Sequence, residues 1–70
     1  MNTIKSIVSG SVIKIHVGPG QNVQPGDVIV TVESMKMEIP VEAEEAGTIG
    51  EILVSEGQPV SEEDDVATYA

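Results

Sequence analysis

The chain predicts an all-β fold, a barrel or sandwich of about eight short strands in two pseudo-symmetric halves, and three observations carry that expectation. Valine and isoleucine number nineteen against a single leucine, a β-branched bias that suits pleated sheet and loses side-chain freedom in a helix. Glycine and proline punctuate the chain at short intervals, as in Gly18-Pro19-Gly20 and Gln24-Pro25-Gly26-Asp27, where they supply unusual φ and remove ladder donors. The third observation is an internal repeat. Gly10, Val12, Ile15, Val17, Gly20, Gln21 and Val23 recur as Gly47, Ile49, Ile52, Val54, Gly57, Gln58 and Val60, all displaced by 37 residues. After Val60 the second copy reads as gaining one residue, so that Asp27-Val28 aligns with Asp65-Val66 and Asp64 takes the place of Gly26. Two such strand-turn-strand units, neither able to close a core alone, pack around a shared one.

The elements follow in order. Thr3 to Val8 and Ser11 to Val17 read as strands broken at Ser9-Gly10, where glycine permits a bend or bulge. Gly18-Pro19-Gly20 is a turn, since it lacks the third glycine and the following helix of a phosphate-binding loop. Val23 is a short strand remnant, and Gln24 to Asp27 turns the chain into the strand Val28 to Val32. A facing strand runs from Ile39 to Ala43, after which the repeat supplies the second half.

Seventy residues make one domain, 1–70, able to bury only about 60% of its unfolded surface. With no cysteine there is neither a disulfide framework nor a thiolate metal site, and the expected location is the cytoplasm. No apolar run exceeds three residues, as in Val28-Ile29-Val30, and the start Met1-Asn2-Thr3-Ile4-Lys5 holds no hydrophobic segment, so a soluble protein with no membrane span is expected. A net charge of −9 argues against nucleic acid, whose affinity rests on basic residues. Residues 1 to 32 carry about +1 and residues 33 to 70 about −10, with Lys36 the lone base of the second set. A partner with a basic surface fits that asymmetry, although acids also keep small domains soluble.

Other candidates carry little chemistry. His16, the single histidine, sits at a strand position and is expected to be half-buried and structural. Nothing in the spacing of Ser11, His16 and Asp27 orients a base toward a nucleophile, so no catalytic residue is assigned. Glu62-Glu63-Asp64-Asp65 lacks the alternation and glycine of a calcium loop, so no metal site is assigned.

The site candidate is the stretch Glu33-Ser34-Met35-Lys36-Met37-Glu38 between the two halves. Alternation puts Met37, Ile39, Val41 and Ala43 on one face, with Glu38, Pro40 and Glu42 on the other. With Met35-Lys36 as a two-residue loop, Ser34 faces Met37, Val32 faces Ile39, Val30 faces Val41 and Val28 faces Ala43. A slip of one residue would mix the faces, while a slip of two keeps parity and stays open. On residue type alone Lys36 is an ordinary solvated lysine. Met-Lys, however, lacks the Asn, Asp or Gly that positive-φ turns prefer, and such local misfits are expected where function overrides foldability.

The hexapeptide resembles the modification site of biotin carboxyl carrier domains, in which a Met-Lys-Met tripeptide presents the biotin-accepting lysine. Lipoyl domains, the nearest look-alike, typically place Asp before the lysine and a small residue after it, whereas Met35 and Met37 flank Lys36 here. Ser34 departs mildly from the more frequent Ala or Val. The run Ile52 to Val60 is similar to its counterpart in bacterial acetyl-CoA carboxylase carriers, while Val12 to Gly20 runs straight through where those carriers insert a protruding loop. The resemblance spans essentially the whole chain and implies a flattened β-barrel, a barrel-sandwich hybrid, with covalent biotin on Lys36. Met35 and Met37 are then recognised by biotin protein ligase, with Glu33 and Ser34 completing the site. The implied partners are that ligase, a biotin carboxylase and a carboxyltransferase of an acyl-CoA type carboxylase, the chain being a carrier and not an enzyme. A lipoyl carrier and an unmodified interaction module are the alternatives.

Overall fold

A computed structural model of the chain describes residues 3–70; Met1 and Asn2, where the N-terminal reading begins, lie outside the described residues. Eight strands follow one another: β1 (Thr3–Lys5), β2 (Gly10–Ile15), β3 (Asn22–Val23), β4 (Val28–Ser34), β5 (Met37–Glu42), β6 (Gly47–Ile52), β7 (Pro59–Val60) and β8 (Asp65–Tyr69). They form two antiparallel four-stranded sheets, in the orders β1-β8-β6-β3 and β5-β4-β2-β7. Both sheets contribute to one core, in which Val12, Val30, Val32 and Ala67 are among the fully buried side chains.

The repeat is visible as a hydrogen-bond pattern. Gly10 faces Val60 and Ser11 faces Pro59 in one sheet, while Gly47 faces Val23 and Thr48 faces Asn22 in the other. The turns match bond for bond. Gln24 N donates to the Asp27 carboxylate at 2.9 Å and Ser61 N donates to Asp64 at 2.8 Å, while Ala43 N donates to Asp27 O and Ser6 N to Asp64 O.

These pairs correct the alignment expected after Val60. The displacement stays at 37 residues, so Asp64 corresponds to Asp27, Asp65 to Val28, and Glu63, not Asp64, to Gly26. Gly26 has φ 91° and Glu63 has φ 73°. The turn therefore keeps its left-handed residue without the glycine that such a φ favours. Apparent similarity of Asp27-Val28 to Asp65-Val66 had suggested an insertion that the backbone does not contain.

A second correction concerns register. Ser34, Val32 and Val30 face Met37, Ile39 and Val41 as expected, but Val28 pairs with Glu42 and not Ala43, because the ladder shifts between Val28 and Val30. Strict alternation cannot anticipate a bulge, which lets the successive residues Ile29 and Val30 both enter the core. The other half repeats the device, with Ile4 opposite Ala67, Lys5 opposite Asp65 and Val66 turned inward.

The first strand ends earlier than alternation suggests, at Lys5 and not Val8. Ser6 is buried, and its hydroxyl donates to Val8 O at 2.6 Å, turning the chain out of the sheet. At Gly10 a Cβ would collide with the Glu33 carbonyl, so β2 crosses β4 closely just behind the hairpin end.

Candidate functional site

Strands β4 and β5 hold the loop Met35-Lys36 between them, closed by the pair Ser34 and Met37. Both loop residues adopt positive φ, 52° at Met35 and 66° at Lys36, the signature of a type I′ turn. That backbone matches strand twist but is disfavoured for residues with a Cβ by roughly 1–2 kcal/mol each. The misfit read from Met-Lys is thus a real conformation of the chain, held by the ladder behind it.

In a two-residue hairpin the pair closing the loop is hydrogen-bonded and the pairs then alternate. Val32 with Ile39 is accordingly a bonded pair, whereas Glu33 with Glu38 and Thr31 with Pro40 are not. Pro40 therefore forfeits no ladder bond, and its missing N–H falls on the open side of the edge strand β5. Glu33 and Glu38 meet at the closer of the two cross-strand spacings, both exposed.

The Lys36 side chain is exposed and, among the described residues, takes part in no hydrogen bond or ion pair. Lys5, by contrast, is held 2.6 Å from Asp65, and that hydrogen bond raises the lysine pKa and lowers that of Asp65. Lys14 lies within β2 opposite Thr31. Lys36 alone of the three occupies a turn. Its neighbours Met35 and Met37 are 93% and 64% exposed, so Met37 does little to close the apolar face opposite Ser34, which is half-buried.

The structure brings Glu33, Ser34, Met35, Lys36, Met37 and Glu38 together at one hairpin end, as their contiguity requires, with Glu38 paired to Glu33. The hairpin register contained that pairing already. His16 is exposed where half-burial was expected, its Nε2 2.7 Å from the Thr31 hydroxyl. The equivalent Leu53 is also 43% exposed, so this position faces outward in both halves.

A family model described as "Biotin-requiring enzyme" matches residues 2–68. The chain belongs to the biotin/lipoyl attachment family. Among its relatives within the biotin/lipoyl family is a biotinylated protein TB7.3 homolog from Mycobacterium leprae, 39% identical, with 96% of this chain and 94% of that protein covered. A biotin carboxyl carrier protein of Streptococcus mutans is 36% identical over 99% of this chain and 53% of its own length. Of the solved structures, urea carboxylase from Kluyveromyces lactis superposes with a TM-score of 0.92 at 30% identity, over 99% of this chain and 6% of that one. Biotin is the cofactor of this branch of the family. A free, exposed amine on a hairpin turn fits its covalent attachment as an amide.

Proposed function

We propose that Lys36 carries biotin and that the chain is a biotin carboxyl carrier, shuttling carboxyl groups between a biotin carboxylase and a carboxyltransferase of an acyl-CoA type enzyme, with the cytoplasm as its place of work. One observation carries the reading: Lys36, with no side-chain partner among the described residues, sits on a two-residue turn between two exposed methionines. In the ligation step the Lys36 amine attacks the acyl carbon of an activated biotin, the activating group leaves, and the nitrogen sheds a proton. Bound biotin supplies the ureido nitrogen that holds the carboxyl group; the chain supplies position. Two sheets around one core make a rigid base, and the tip stands clear of it, so that the arm can enter a partner's pocket. Tethering also raises the local concentration of biotin to the order of mM at a docked partner. Met35 and Met37, soft and unbranched, offer apolar contact to the ligase, with Ser34 and Glu33 behind them.

Intact mass after co-expression with a biotin protein ligase tests the assignment. One biotinyl group is expected on the chain and none on Lys36→Arg. Capture of the Lys36→Arg protein by avidin would overturn the reading, and a lipoyl mass would replace the cofactor.

A further inference from the structure

The two methionines beside Lys36 are placed as no core methionine is. Met35 and Met37 are the most exposed large apolar side chains among the described residues, and neither belongs to the buried core. Met35 also stands at φ 52°, where Asn or Gly would suit the backbone better. The thioether is therefore retained against local preference and lies open to solvent. Its chemistry is that of a soft nucleophile toward peroxides, which turn an apolar, flexible side chain into a polar, chiral one.

We propose that Met35 and Met37 form a peroxide-sensitive modification site that blocks acylation of Lys36 while leaving the fold untouched. Each sulfur attacks one peroxide oxygen, the O–O bond breaks, the sulfur is oxidised by two electrons to the sulfoxide, and the other oxygen leaves as water or alcohol. A thiol-dependent methionine sulfoxide reductase reverses the step, two thiols becoming a disulfide as the oxygen departs as water. The core loses nothing, because neither side chain packs in it. The ligase loses apolar contact on both sides of its target amine and must desolvate two S=O groups instead.

This rests on the assignment of Lys36 as the biotin acceptor, so the test begins with the reduced protein. Failure of the reduced protein to take biotin would sink that assignment itself. The chain is then treated with hydrogen peroxide, sulfoxides are located by peptide mass spectrometry, which separates Met35 and Met37 from Met1, and biotinylation by purified ligase is timed. The expected result is oxidation at both positions, an unchanged melting temperature, and ligation slowed by roughly tenfold or more, the scale of a lost apolar contact in a recognition pocket. Treatment with the reductase restores the rate. In Met35→Leu/Met37→Leu, whatever its starting rate, peroxide leaves that rate unaltered. An oxidised protein ligated as fast as the reduced one overturns the proposal. So does a lowered melting temperature, or an equal peroxide effect in the double leucine variant.

Discussion

Glu33 and Glu38 stand directly opposite each other in the β4-β5 ladder, one pair behind the turn that carries Lys36. Their pair is not hydrogen-bonded, which brings the Cα atoms to about 4.5 Å and sets two like-charged side chains side by side on one face. Like charges so placed disfavour the fold, so Glu38→Gln is expected to raise stability by roughly 0.2–1 kcal/mol. Urea unfolding measures it, and the gain should shrink in high salt. A lower urea midpoint in Glu38→Gln would show that the two carboxylates do not repel.

The turn itself yields a second expectation. Met35→Asn/Lys36→Gly places the residues that a type I′ turn prefers at both positive-φ positions. The variant should gain about 1–2 kcal/mol, less than the summed cost of the two positions because Asn keeps its Cβ and glycine has more freedom to lose on folding, while accepting no biotin. Thermal melts together with avidin capture decide it. A variant no more stable than the parent would mean that the turn is not strained.

Glu63 gives the third. It occupies the place that Gly26 holds in the other half, at φ 73° against 91°. Glu63→Gly should stabilise by roughly 0.5–1 kcal/mol, the release of left-handed strain outweighing the extra freedom of glycine in the unfolded chain. Gly26→Ala should destabilise. If Glu63→Gly melts lower than the parent, a role for the Glu63 side chain would have to be sought.

The hairpin was legible because its ends alternate cleanly: Val30, Val32, Ile39 and Val41 can share a face in only one parity. The lysine stood out because Met-Lys violates turn preference at the one place between the two halves. What stayed hidden was irregular. The bulges at Ile29 and Val66 break the period of two, and a regular pattern carries no trace of where it will break. The uninterrupted displacement of 37 was masked by glutamate standing where the first half has glycine. Half-burial fails for His16 because a lone histidine at the end of a strand pattern gives no sign of which face it takes, and β2 stops one residue before it.

Acid should act on the exposed pair Lys5 and Asp65. The hydrogen bond from Lys5 lowers the Asp65 pKa, so its contribution is present above the usual carboxylate range and lost as pH falls through the lowered folded value. The raised Lys5 pKa implies a contribution present below 10.5 and lost as pH climbs through the folded value. The pair therefore helps most around neutral pH. Urea midpoints of the parent and Asp65→Asn should differ most there and converge in acid, by a small margin, since both groups are solvated. A gap that widens on acidification would contradict the sign.

Pro40, with its missing N–H on the outer side of β5, bears on how the molecules behave in a crowd. A second chain adding a strand to this sheet would find no donor at the middle of the edge and carboxylates from Glu38 and Glu42 on either side of it. Many copies can then be held at high concentration without this edge of the sheet growing from one molecule into the next. The same residue that costs the β4-β5 ladder nothing on its inner side keeps the outer edge of the hairpin from pairing, so that each tip stays separate.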